Sequence, residues 1–200
     1  MKTIIKTTVA LLVAAGTSLA APQVGQPAPA FTLTDSNGQS HNLSDFKGKF
    51  VVLEWFNHGC PFVVKHYGSG NMQKLQKEYT GKDVVWLSIV SSAPGKQGHM
   101  SPEETNKAKT EKGSGATAVL IDEDGAVGKL YDAKVTPELY VINPDGVLVY
   151  MGAIDDKKSV DAADIAGAKN YVKQALDEAM AGKPVSEPTT TPYGCGIKYN

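Results

Sequence analysis

Phe50-Val51-Val52-Leu53-Glu54-Trp55-Phe56-Asn57-His58-Gly59-Cys60-Pro61 is the stretch on which the fold turns. Its first seven residues are apolar, β-branched or aromatic except for Glu54, a run of strand length that reads as a buried central strand. His58-Gly59 ends the run. Pro61 suits the first turn of a helix, where no amide hydrogen is required. A helical pattern then extends from Pro61 to Tyr79, weakened in the middle by Gly68-Ser69-Gly70. Asp83 to Ser91 is a second apolar strand, so strand, helix and strand compose a βαβ unit. Cys60 therefore stands at a strand-to-helix junction. A sulfur there lies near unpaired amide hydrogens and the positive end of a helix dipole, which favours the reactive thiolate.

On the N-terminal side, Phe31 to Thr34 alternates and leads into Asp35-Ser36-Asn37-Gly38, a hairpin signal. Asn42 to Phe46 reads as one helical turn closed by Gly48. On the C-terminal side a polar insertion spans 92–115, and within it Ser101-Pro102-Glu103-Glu104 is a capping box that starts a short helix. Ala116 to Ile121 is a third strand. Thr136 to Ile142 and Val147 to Gly152 flank the turn Asn143-Pro144-Asp145-Gly146. The spacing of Ile165, Ala168, Tyr171, Val172, Ala175, Leu176 and Ala179 predicts one long amphipathic helix over 161–181, stopped by Gly182.

The chain has 200 residues, 42% hydrophobic and 20% charged, enough for one domain with a substantial core. Residues 1–20 read as a cleaved signal peptide: Lys2 and Lys6, an apolar run from Thr7 to Ala15, then Ser18 and Ala20 in small-x-small spacing. The expected organisation is thus 1–20 signal, 21–183 domain and 184–200 tail, with export to a periplasmic or extracellular location. No membrane anchor is expected in the mature form. Cleavage would take the formal charge from −1 to −3, and without basic clusters no nucleic-acid partner is expected. All 20 basic residues are lysine.

Several motifs carry a family resemblance. Val24-Gly25-Gln26-Pro27-Ala28-Pro29-Ala30-Phe31-Thr32-Leu33, Leu43-Ser44-Asp45-Phe46-Lys47-Gly48-Lys49, Cys60-Pro61 and Val135-Thr136-Pro137 are similar to those of redoxins related to the AhpC/TSA peroxiredoxins, within the thioredoxin superfamily. The resemblance implies an α/β, thioredoxin-like fold: a central mixed sheet flanked by helices, with an N-terminal β-hairpin extension and a helical insertion. It also implies that Thr136-Pro137 is the cis-proline loop, packed on the reactive cysteine and binding the partner chain together with Pro61. Thr-Pro before a strand is itself a plausible cis site. Glu54 falls where thioredoxins hold a buried acid that relays protons, which makes it the candidate general acid/base. The residue pattern alone leaves an exposed strand-end carboxylate equally open.

Two departures narrow the chemistry. Val63 stands where a Cys-x-x-Cys motif has its second cysteine. Peroxiredoxins carry Pro-x-x-x-Thr/Ser-x-x-Cys and a remote arginine, whereas this chain has Leu53 and Asn57 at those positions and no arginine. Lysine cannot reproduce the planar fork that aligns a peroxide. Cys195, the other cysteine, lies on a Pro- and Gly-rich tail. It is a resolving thiol for Cys60, half of a static disulfide pinning the tail, or a link to another molecule, and the sequence does not choose among these. His58 and Asn57 are expected to modulate the Cys60 thiolate. His58, His66, His99 and Met100 raise a copper reading, but copper chaperones of this fold have two close cysteines at the loop, so no metal and no cofactor are expected. His66 is expected on the helix surface.

The reading is an exported thiol–disulfide oxidoreductase with Cys60 as nucleophile and Cys195 as the candidate resolving thiol. It would act on protein thiols and disulfides or a small thiol oxidant, with an external reductant. A weak thiol peroxidase, a metal-handling module and a non-enzymatic domain with a stapled tail are the alternatives.

Overall fold

The computed structural model describes residues 21–200. The signal-peptide expectation for 1–20 lies outside the described residues.

Seven strands form one mixed sheet in the order β2-β1-β5-β4-β3-β7-β8. The strand quoted above is β3 (Val51–Trp55), parallel to β4 (Val85–Val90) and antiparallel to β7 (Glu138–Ile142). β4 continues the parallel set to β5 (Ala118–Ile121), while β1 (Thr32–Asp35) and β2 (Ser40–Asn42) add the N-terminal hairpin. β8 (Leu148–Gly152) closes the other edge through the Asn-Pro-Asp-Gly turn. Every residue of β3 is buried, as expected of a strand covered on both faces. Alternation sends Val52 and Phe56 into one core layer and Val51, Leu53 and Trp55 into the other. Glu54, in step with Val52 and Phe56, is directed into the same layer as Cys60.

The single helix expected over 61–79 is two helices, α1 (Pro61–Gly68) and α2 (Asn71–Thr80). Gly70 adopts φ 76°, a left-handed conformation that glycine takes without a Cβ clash, and serves as the N-cap of α2. The long helix expected over 161–181 also divides. Residues Ala162–Gly167 form a 3-10 helix, Ala168 is extended, and α5 (Tyr171–Met180) starts afresh. The cause is local: the Asn170 side chain accepts a hydrogen bond from the Lys173 amide at 2.8 Å, making a strong N-cap inside the amphipathic pattern. The insertion helix α3 (Pro102–Glu111) starts on the expected capping box at Ser101. A short helix α4 (Ala126–Leu130) was not evident from the pattern.

The tail does not trail from the domain. The Met151 amide donates to the Pro188 carbonyl and the Thr190 amide to the Met151 carbonyl, both at 3.1 Å. Farther on, β9 (Cys195–Gly196) pairs antiparallel with β6 (Val135–Thr136), placing Cys195 opposite Thr136. Beyond it the Ile197 amide donates to the Lys134 carbonyl and Lys198 accepts from the Ala93 amide, each at 2.9 Å. Tyr199 finally lies against Gly125 and Gly128, its hydroxyl donating to the Ala133 carbonyl at 2.8 Å.

Candidate active site

Cys60 is the N-cap of α1, with extended backbone (φ −75°, ψ 124°) and Pro61 in the first turn. Its carbonyl accepts from the Val64 amide at 2.8 Å, so the helix begins at the sulfur-bearing residue. The thiol donates to the Thr136 carbonyl at 3.1 Å, across 76 residues of sequence. That contact seats it against the loop whose Thr136-Pro137 bond is cis. Burial pushes the thiol up, yet its net displacement is downward. The Cys195 side chain, the Val63 amide and Thr136 together outweigh the desolvation. The Thr136 hydroxyl is buried without a hydrogen-bond partner, which leaves it free to turn toward the sulfur. Cys195 shows the opposite displacement. Its thiol is pushed up to about 11, by burial first and then by its hydrogen bond to Cys60 and the charge there. Both cysteines are free thiols.

Three other segments hold this arrangement. The loop before the helix is tied by Asn57, which accepts from the Gly59 amide at 3.0 Å and donates to Gln97 Oε1 at 2.9 Å. Gln97 belongs to the 92–115 insertion. At neighbouring Gly98 (φ 94°) a Cβ would stand 2.3 Å from Asn57 Nδ2, so the insertion packs directly on the cysteine loop. Glu138 accepts from the Lys134 and Val135 amides at 2.8 and 3.2 Å, fixing the chain that enters the cis bond. Gly194 (φ 145°) lies against the same loop, where a Cβ would meet the Thr136 carbonyl oxygen at 2.0 Å.

Glu54 is wholly buried, which excludes the exposed strand-end alternative. Its carboxylate accepts from Tyr67 Oη (2.9 Å), Gln76 Nε2 (3.0 Å), Trp86 Nε1 (2.8 Å) and Ser88 Oγ (3.0 Å). Desolvation nevertheless prevails over those four donors and raises its pKa. Cys60 is not among its hydrogen-bond partners.

His66 is not on the surface. It is completely buried, and its Nδ1 pairs with Asn71 Nδ2 at 2.8 Å. Its Nε2 faces Asp155, 3.9 Å away, and Tyr193 of the tail, 3.5 Å away. Tyr193 in turn donates to Asp155 and packs edge-on against Phe62, 5.7 Å between ring centroids. The returning tail has roofed over a face of α1 that would otherwise meet water. Desolvation, only partly opposed by Asp155, lowers the imidazole to about 4. The unfolded chain thus binds a proton near 6.5 that the folded chain refuses until about 4. Stability should be fully present above 6.5 and decline by roughly 3 kcal/mol as the pH falls to 4. Urea titrations of the wild type and His66→Gln should diverge across that window, and parallel pH profiles would contradict the assignment.

His58 has a buried Nδ1 without a hydrogen-bond partner. His99 pairs instead with Glu123 at 3.0 Å, and Met100 is buried in the core. Among the described residues no three His, Cys, Asp or Glu side chains converge as metal ligands would. Gln97, Glu138, Gly194 and the Tyr193–Asp155–His66 cluster were not foreseen. Only the flanking glycines of Gly194-Cys195-Gly196 hinted at a close backbone approach.

Comparison with known proteins supplies the family and the fold. A family model described as Redoxin matches residues 23–170. The chain is 29% identical over 125 residues to the thiol-disulfide oxidoreductase ResA of Bacillus subtilis, covering 62% of this chain and 64% of that protein's length. It is 30% identical over 150 residues to the chloroplastic peroxiredoxin Q of Sedum lineare, covering 68% and 73%. A crystal structure of an uncharacterized conserved protein from Geobacillus kaustophilus superposes with a TM-score of 0.75 at 31% identity, covering 89% of this chain and 93% of the other.

Proposed function

This chain belongs to the Redoxin family, and from that premise we propose that it is a thiol–disulfide oxidoreductase cycling between a Cys60/Cys195 dithiol and a Cys60–Cys195 disulfide. One observation carries the reading: Cys195 sits opposite Thr136 in the β6–β9 pair, while Cys60 donates to the carbonyl of that same threonine. One residue of the cis loop thus touches both thiol-bearing segments. Likeness to ResA supports exchange with protein thiols and disulfides.

The roles divide by environment. Cys60, displaced toward the thiolate, is the activated sulfur, and Cys195 is the partner with which it closes the disulfide. Thr136 and Pro137, with Pro61, form the wall on which a partner chain is received, and Asn57 and His58 shape the loop before the sulfur. Glu54 is a buried proton store in the same core layer as Cys60, acting on the site through its charge and protonation state. The signal-like N-terminal segment supports action outside the cytoplasm, against an external reductant.

A weak peroxidase is the second reading, favoured by likeness to peroxiredoxin Q and opposed by the absence of any arginine. Peptide mapping of the oxidised chain tests the first. It should recover Cys60 linked to Cys195, with a midpoint above about −300 mV against glutathione. Cys60→Ser should leave dithiol oxidation at the uncatalysed rate. A chain that forms no such linkage, or forms one too stable for glutathione to reduce, does not have this function.

A further inference from the structure

Thiol–disulfide exchange requires the attacking sulfur to approach in line with the bond it breaks, from the side opposite the leaving sulfur. The two sulfurs of this site are unequal in that respect. Cys60 is 1% exposed and packs in the core layer with Phe56, Val63 and Tyr67. Its outward side is roofed by the tail strand that carries Cys195. Cys195 is partly exposed, on a two-residue strand paired only to β6. In the disulfide, a path in line with Cys60 would run through the packed interior, whereas a path in line with Cys195 starts in solvent.

We propose that a partner thiol attacks Cys195, the resolving position, and that Cys60 is the sulfur expelled. This rests on the Cys60–Cys195 disulfide of the proposed function. It reverses the polarity expected if the activated cysteine were the one that meets the partner. The incoming thiolate forms a bond to Cys195 Sγ, the Sγ–Sγ bond breaks, and its electron pair leaves on Cys60 as thiolate. A second thiolate of the same partner then attacks the partner's own sulfur and expels Cys195, which takes a proton. The partner dithiol is oxidised to a disulfide, and the protein disulfide is reduced to two thiols. The partner is thus a molecule that carries two thiols.

The electrostatics favour the same direction. A sulfur with a lower pKa leaves faster. Cys60 has the Val63 amide and Thr136 to stabilise its thiolate, while Cys195 stands at about 11 and would be the poorer leaving group.

The test uses the full oxidised chain, a monothiol that cannot complete the second step, and a fast quench. The chain is exposed briefly to reduced glutathione, quenched with acid, labelled with N-ethylmaleimide in denaturant and mapped by peptide mass. Glutathione should be found on Cys195 and maleimide on Cys60, with the reverse pattern at least tenfold rarer. Glutathione on Cys60 in comparable amount overturns the proposal. If the starting chain contains no Cys60–Cys195 linkage, or one that glutathione does not open at all, the proposed function itself fails; the position of the adduct tests the polarity alone.

Discussion

A chain carrying Gly194→Ala is expected to lose the docking of its tail strand and to expose the Cys60 thiol to iodoacetamide roughly 100-fold faster, the equivalent of about 2.7 kcal/mol of closing free energy. The cause is steric. At Gly194 the backbone has φ 145°, and the added methyl would stand 2.0 Å from the Thr136 carbonyl oxygen, which is backbone and has no side-chain freedom to yield. The same oxygen accepts the Cys60 thiol, so strain there acts directly at the sulfur. A buried thiol is alkylated only through opened states, and the rate follows their population. Gly196→Ala is the internal control. It lies two residues on in the same strand, but the nearest atom to its added Cβ is 3.9 Å away, so its alkylation rate should stay near wild type. Equal rates for the two variants would mean that the tail does not guard Cys60.

Much of this site was legible because it is local. The strand before Cys60, Pro61 in the first helical turn and the capping box at Ser101 are each decided by residues within a few positions of one another. What was not legible came from chain returning over long distance. His66 reads as a surface residue on α1 because nothing nearby reveals that Tyr193, 127 residues later, covers it. Cys195 carries no signal of its separation from Cys60, which depends on a two-residue strand paired at the cis loop. The two broken helices failed for another reason. Amphipathic spacing continues through Gly70 and Asn170, but a left-handed glycine and a capping asparagine interrupt the backbone without changing which face is apolar.

Glu54 lies between these cases, and its substitution has the largest expected effect on stability. Its position on β3 is local, but its four donors come from α1, α2 and β4. Glu54→Ala removes the acceptor from all of them at once. The Tyr67 and Ser88 hydroxyls can turn to other partners, but the Trp86 indole and the Gln76 amide are held by packing and lose that acceptor. A loss of about 4 kcal/mol is expected, near 10 °C in Tm for a domain of this size. Glu54→Gln keeps an oxygen for the indole and should cost about half as much. It also separates packing from charge. Because folding raises the Glu54 pKa, the unfolded chain releases that proton first as the pH climbs past the ordinary value of 4.5. Stability from this group is therefore greatest in acid and declines until the pH passes the folded pKa. That slope is opposite to the one His66 imposes. Glutamine cannot titrate, so the wild-type advantage over Glu54→Gln should shrink between pH 4.5 and neutrality, as read from urea midpoints. A constant advantage would mean that the carboxyl titrates alike in both states, and Glu54 would then be a structural acceptor with no proton to lend to Cys60.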